Sequence, residues 1–315
     1  MINSKIALIF PGQGSQLVGM GKDLADKYPA ARHTFEEADE ALGYKLSQVC
    51  FEGPEDQLRL TEVTQPAILT ASIAALRVVE THLPKPSFVA GHSLGEYSAH
   101  VASGTLGFAD AVRTVRHRGR YMQEAVPVGT GSMAAIVGMN IEEVATLCAD
   151  AAQGEVCEPA NINSPDQIVI SGSVGAIERA VKLAEERGAK RAKMLQVSAP
   201  FHCSLMKPAQ DRLAADLNAL SFSAPQIPVI ANVFAKPVED AVSAREALIR
   251  QVTGSVKWNE SIQLLIARGV QTFIEVGPGK VLSGLMRQID RTKKAVNVED
   301  EASLQKTAEY LASAP

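Results

Sequence analysis

Only four cysteines occur in 315 residues, and Cys50, Cys148, Cys157 and Cys203 show none of the paired spacings of a disulfide framework or a zinc site. The fold is therefore expected to rest on apolar packing, with reduced thiols and no metal. No apolar run approaches the roughly 20 residues that span a bilayer. Residues 1–10 carry one lysine and a short apolar stretch that runs straight into Pro11-Gly12, without the longer apolar core and small-residue cleavage site of a secretory leader. A cytoplasmic protein with no membrane partner is expected. No charge sign dominates either: 31 Lys and Arg against 35 Asp and Glu leave a formal net charge of -4, which argues against nucleic acid as the partner. A G-x-x-x-x-G-K-[ST] phosphate loop is also missing, and Gly277-Pro278-Gly279-Lys280 lacks both the earlier glycine and the following Ser or Thr. Nucleotide hydrolysis is disfavoured. Tandem repeats and low-complexity tracts are absent.

What the chain does have is 46% apolar and 21% charged residues, enough for a substantial core. Its length exceeds a common single-domain size, so a large α/β unit with a smaller companion is expected. Residues 6–10 form a continuous apolar run stopped by Pro11-Gly12, as in a parallel strand buried on both faces. Residues 64–80 show helical spacing, with Pro66 placed in the first turn. Residues 87–90 read as a second buried strand, leading into Gly91-His92-Ser93-Leu94-Gly95 and an alanine-rich helix, and 109–124 as a further helix. Between 133 and 197 the order is strand, helix, strand, strand, helix, strand, which is the ferredoxin-like pattern. The boundaries are set at 1–127 and 199–315 for the main unit and 128–198 for the inserted one. After the insertion come a helix at 208–220, a strand at 229–233, a helix at 244–251 and a strand at 271–276.

Gly91-His92-Ser93-Leu94-Gly95 matches the G-x-S-x-G nucleophile elbow, and the strand before and helix after it are the context that gives the pattern meaning. The glycines permit the tight turn, and the helix N-terminus brings the Leu94 amide toward charge that develops on attack at Ser93. The bland alternative is a glycine-flanked turn with an incidental serine. A serine nucleophile needs a base. Among six histidines, His33 and His82 read as solvated, His100 and His117 as helical residues among polar positions, and His92 as a turn neighbour pointing away from Ser93. His202 remains, in a loop where the chain re-enters the main unit, although a satisfied loop histidine would look the same. Cys203 beside it diverges in direction and is discounted as nucleophile. The glycine-rich turn at Gly12-Gln13-Gly14 can aim backbone amides into the same site. In the helix of Arg113, Arg116, Arg118 and Arg120, three arginines share one arc and Arg118 faces the opposite way. The three read as a solvated face, or as a dock for an acidic partner together with Lys190, Arg191, Lys193, Lys280 and Arg287. A buried Arg118 needs an anion, supplied either by a protein carboxylate or by a substrate.

Pro11-Gly12-Gln13-Gly14-Ser15-Gln16, Gly91-His92-Ser93-Leu94-Gly95-Glu96, Arg118-Gly119 with Met122, Asn161-x-Asn163-Ser164-Pro165, Phe201-His202 and Glu275-Val276-Gly277-Pro278-Gly279 together resemble the bacterial malonyl-CoA:acyl-carrier-protein transacylases, nearly end to end. The resemblance implies a hydrolase-like α/β core with a ferredoxin-like insertion and a malonyl group carried on Ser93. His202 would be the base, and Arg118 would hold the malonyl carboxylate. Gln13 and Leu94 would supply oxyanion amides, and Met122, Phe201 and Asn163 would contact substrate. In that family a main-chain carbonyl, here that of Gln251, orients the histidine in place of an acid. Phe201 before the histidine goes with malonyl selectivity, whereas Ala199-Pro200 departs from the commonest modular-synthase pattern. Malonyl-CoA and acyl carrier protein are the implied partners, with no cofactor beyond the coenzyme A thioester, and a monomer is expected. The rivals are a serine esterase or thioesterase, an acyltransferase of a polyketide pathway, and a non-catalytic carrier-binding scaffold.

Overall fold

The computed structural model describes residues 5–80 and 82–313. Among the described residues there are ten strands: β1 Lys5–Phe10, β2 Phe88–Gly91, β3 Gly131–Val137, β4 Cys157–Ser164, β5 Gln167–Ser173, β6 Arg191–Met194, β7 Val229–Ala231, β8 Lys236–Val238, β9 Val270–Val276 and β10 Lys294–Val298. They divide into a six-stranded sheet in the order β10-β9-β1-β2-β7-β8 and a four-stranded sheet in the order β4-β5-β3-β6. In the larger sheet every neighbouring pair is parallel except the β7–β8 edge. In the smaller one every pair is antiparallel, with the outer strands of a ferredoxin-like unit flanking its central two.

The alternation within β1 shows why its apolar run is continuous. Ile6, Leu8 and Phe10 face one core layer, built largely from the helices between residues 22 and 124 and those at Lys207–Ala219 and Ala241–Gln251. Ala7 and Ile9 face a second layer, with Trp258, Ile262, Leu265, Leu282 and Leu285. A strand covered by helices on both sides has no polar face to alternate with. The small sheet buries one face against the helices Ile141–Ala152 and Val174–Glu186. Asn140 caps the first of these with a full capping box. The two sheets are joined where Val256 pairs with the β4 backbone, its amide donating to Ala160 O and its carbonyl accepting from Ile162 N.

Several expected boundaries move, the helix expected at 244–251 beginning at Ala241 and the strand expected at 229–233 ending at Ala231. The helix Thr61–Val79 begins three residues before 64, so Pro66 is its sixth residue and lies beyond the first turn. The missing proline N–H leaves the Glu62 carbonyl without its helical partner, a cost borne because almost the whole helix is buried core. No described helix is long and apolar enough to cross a membrane.

Candidate active site

The parallel strands β1, β2 and β9 end at one edge of the large sheet, where open α/β folds gather their ligand sites. The turn between β2 and the helix Gly95–Ala102 carries Ser93 at φ 51°, a left-handed conformation that is strained for a residue with a Cβ. Its flanking glycines are there for room. A Cβ on Gly91 would lie 1.9 Å from the Gly95 carbonyl carbon, and one on Gly95 would lie 2.1 Å from Phe10 O. The strain is held in place by Asn232, just past β7. Its Oδ1 accepts from the Ser93 amide at 2.7 Å and its Nδ2 donates to Gly91 O at 2.7 Å.

The Ser93 hydroxyl meets His202 at 2.7 Å from Oγ to Nε2. The other ring nitrogen, Nδ1, donates to the Gln251 main-chain carbonyl at 2.9 Å. A carbonyl can only accept, so the proton sits on Nδ1 and the Nε2 lone pair faces the hydroxyl. Burial, and then the nearby positive charge of Arg118, push the imidazole down from its ordinary 6.5 to about 3, so the ring is neutral and able to take a proton. Cys203 turns the other way, its Sγ donating to Pro200 O and its thiol pushed up to about 11 by burial.

Arg118 is 2% exposed, while Arg113, Arg116 and Arg120 on the same helix face outward, against Asp110, the Tyr44 ring and Glu124. Its guanidinium reaches Ser93 Oγ at 3.2 Å, Gln65 Oε1 at 2.9 Å and Gln251 Oε1 at 2.9 Å. Among the described residues no carboxylate lies within 4.0 Å of it, and its Nε has no partner. Burial disfavours its charge. Of the two anions the sequence allowed, the protein supplies none in contact, and Arg118, Ser93 and His202 together help to line a cavity of about 420 Å³.

Gln13, Met122, Asn163 and Phe201 line the same cavity. The backbone amides of Gln13 and Leu94 have no hydrogen-bond partner among the described residues, which leaves both available to an oxyanion. Met122 Sδ touches Gln65 Nε2 at 3.9 Å. Asn163 Oδ1 pairs with His92 Nε2 at 2.8 Å, and the His92 ring leans on Trp258, so the asparagine fixes a cavity wall as well as facing the space. Burial lowers the basicity of His92. Glu275, of the last motif, binds the Leu282 and Ser283 amides and so caps the helix Val281–Ile289, whose first turns border the cavity.

His100, expected among polar positions, is instead completely buried, because its short helix is wedged between the sheet and neighbouring helices. Reasoning from the sequence also missed Gln65, Asn232 and the Gln251 side chain. Nothing local marks a buried glutamine or asparagine as part of a site. Glu96 stood inside a recognised motif without a role. Among the described residues no group of three His, Cys, Asp or Glu could hold a metal ion.

Residues 7–308 match the family model of the acyl transferase domain. The chain is 49% identical over 302 residues to the malonyl CoA-acyl carrier protein transacylase of Salmonella typhimurium, covering 96% of this chain and 98% of that protein. It is 50% identical over 303 residues to that of Bacillus subtilis, covering 96% of each. The solved transacylase of Coxiella burnetii superposes with a TM-score of 0.96 at 45% identity over 98% of both chains. A malonyl-transacylase solved in complex with its type II polyketide synthase carrier protein superposes with a TM-score of 0.95 at 47% identity, covering 97% of this chain and 99% of that one.

Proposed function

Because this chain belongs to the acyl transferase family, among the malonyl CoA-acyl carrier protein transacylases, we propose that it moves malonyl from coenzyme A to a carrier-protein thiol by way of an ester on Ser93. His202 Nε2 takes the Ser93 proton as Oγ attacks the thioester carbonyl, and the negative charge that forms on the carbonyl oxygen is met by the Leu94 and Gln13 amides. Collapse breaks the carbon–sulfur bond, and the proton on His202 passes to the departing coenzyme A sulfur. The phosphopantetheine thiol of the carrier then gives its proton to His202 and attacks the malonyl ester, regenerating Ser93. Thioester and oxygen ester are close enough in energy for the exchange to run both ways.

The observation that carries this reading is the neutral His202 ring at 2.7 Å from Ser93 Oγ, with the Arg118 guanidinium 3.2 Å from the same oxygen and no protein carboxylate against it. The carboxylate of a malonyl group would supply the anion that Arg118 lacks in the protein, and holding it would align the acyl carbonyl with the serine. Phe201 in the cavity wall supports malonyl over bulkier branched groups. A serine esterase usually places its histidine near the C-terminus after an acid, whereas here no histidine follows His202 and a carbonyl orients it. Intact Ser93, His202 and Arg118 speak against a mere scaffold. We place the reaction in fatty acid synthesis and, in keeping with four free and buried cysteines, in the cytoplasm. Polyketide synthesis is the second reading, favoured by the likeness to a transacylase that serves a polyketide carrier.

Intact-protein mass spectrometry after mixing with malonyl-CoA tests the proposal. A malonyl adduct that persists on Ser93 and discharges to a carrier thiol is expected; steady release of free malonate without acceptor would make the chain a hydrolase. Arg118→Ala should lose malonyl transfer while gaining relative activity on acetyl-CoA, and an unchanged preference would remove the carboxylate clamp.

A further inference from the structure

Glu96 is completely buried behind the elbow, on the first turn of the helix that follows Ser93. Among the described residues no lysine or arginine lies within 4.0 Å of it, and the nearest basic side chain is His100, whose Nε2 is 3.8 Å from Glu96 Oε1, beyond hydrogen-bond reach. Among the described residues neither ring nitrogen of His100 has a hydrogen-bond partner. The other carboxylate oxygen, Oε2, is fully used: it accepts from the Asn232 amide at 2.9 Å and from Gln251 Nε2 at 2.7 Å. Both of its donors belong to residues that touch the reacting groups.

Gln251 is where these contacts meet. Its main-chain carbonyl orients His202, its Oε1 accepts from Arg118, and its Nε2 donates to Ser93 O at 2.9 Å as well as to Glu96. An amide can lie two ways round, and here the two ends differ in sign. Turning it over would set NH2 against the Arg118 guanidinium and the oxygen against the Glu96 carboxylate, two contacts that repel. The acceptor at Glu96 and the donor at Arg118 therefore allow only one orientation.

Resting on the assignment of Ser93, His202 and Arg118 above, we propose that Glu96 is a positioning residue for the transfer, fixing the Gln251 amide and the Asn232 backbone so that the serine, the base carbonyl and the arginine keep their mutual geometry. It touches neither substrate nor reacting atoms. Its work is to present one buried acceptor to two donors. A glutamine at 96 can do the same with its amide oxygen while its NH2 turns toward the unpaired His100 nitrogen. A methionine fills the volume and accepts from neither donor.

The test compares wild-type protein, Glu96→Gln and Glu96→Met in single-turnover acylation of Ser93 by malonyl-CoA and by acetyl-CoA, with thermal unfolding measured alongside. Glu96→Gln is expected to stay within a few-fold of wild type. Glu96→Met should lower the malonyl acylation rate on the order of 100-fold, as a misplacement of about 1 Å does, with the KM for malonyl-CoA moving far less. The malonyl-to-acetyl preference should fall about tenfold in the same variant, one charge-assisted contact's worth, which a purely structural residue would leave alone. A folded Glu96→Met protein with wild-type rate and preference overturns the inference, and so does a loss in Glu96→Gln as large as that in Glu96→Met. If Glu96→Met does not fold, Glu96→Asp, with its carboxylate drawn back by one methylene, is expected to show the same losses and overturns the inference if it does not. Absence of any Ser93 adduct in the wild type would instead sink the functional reading on which the inference rests.

Discussion

A histidine that serves as a base must be neutral before it acts, and His202 is kept so by burial and by the Arg118 charge rather than by any acid. The consequence for pH has a definite sign. The unfolded chain takes up a proton at His202 near 6.5, while the folded chain does not until about 3, so between those values the unfolded state binds more protons and stability falls as pH falls. At pH 5 this one residue should cost about 2 kcal/mol of unfolding free energy relative to pH 8. Denaturant unfolding at the two pH values checks it, and His202→Leu should show a correspondingly smaller loss on acidification. The same shift predicts that kcat/KM for malonyl-CoA has no acid limb near 6.5. A limb there would mean that the free enzyme's base titrates as an ordinary imidazole. At this scale Ser93, His202 and Arg118 were legible in the sequence, because an elbow motif, a re-entry loop and an arginine off the arc of its neighbours each leave a local mark. Gln65 and Asn232 leave none, since an amide side chain in the core looks like any other until its partners are known.

Among the elements, the strand–turn–helix at β2 and Gly95–Ala102 stores the strain that lifts Ser93 clear of the sheet. Its tightness comes from Gly95 lying against the Phe10 carbonyl at the end of β1, so the first and second parallel strands are locked through the elbow. Gly95→Ala should therefore destabilise the fold by about 1–3 kcal/mol, the usual cost of overpacking, and reduce acylation more than the lost stability explains. Paired measurements of unfolding and Ser93 acylation decide this, and a fully active, fully stable variant would show that the turn has slack. Most elements could be read from periodicity because one apolar face is enough to define a helix and a continuous apolar run a doubly covered strand. The start at Thr61 could not, since Pro66 gave a cue for a first turn and only the surrounding core made an internal proline tolerable. The burial of His100 was hidden for the same reason: its helix lies against the sheet on one side and other helices elsewhere.

Over the whole molecule, the cavity is shared. Met133 and Val169 of the four-stranded sheet form part of its wall, and Glu158 on β4 accepts from Ser204 N and Oγ, two residues past His202. The Val256 pairing with β4 fastens the same region from the other side. The helix Val281–Ile289, packed beside β4, gives Val281, Leu282 and Leu285 to the cavity and carries Arg287 toward a second depression lined also by Arg291, Lys293 and Lys294. These are basic side chains of the kind that would hold an acidic carrier, Arg287 among them. Arg287→Glu should raise the KM for the carrier far more than that for malonyl-CoA, and a uniform effect on both would remove the docking role. By itself the sequence singled out Ser93, His202 and Arg118, a parallel α/β core and a ferredoxin-like unit that interrupts it, because composition, spacing and apolar periodicity are local properties. Only the tertiary structure decided what keeps that chemistry in register: the Asn232 brace on Ser93, the Gln251 side chain and the buried Glu96 acceptor join residues as many as 158 positions apart. Such contacts depend on how elements pack against one another, and no local pattern of residues encodes the distance between two groups that meet only after folding.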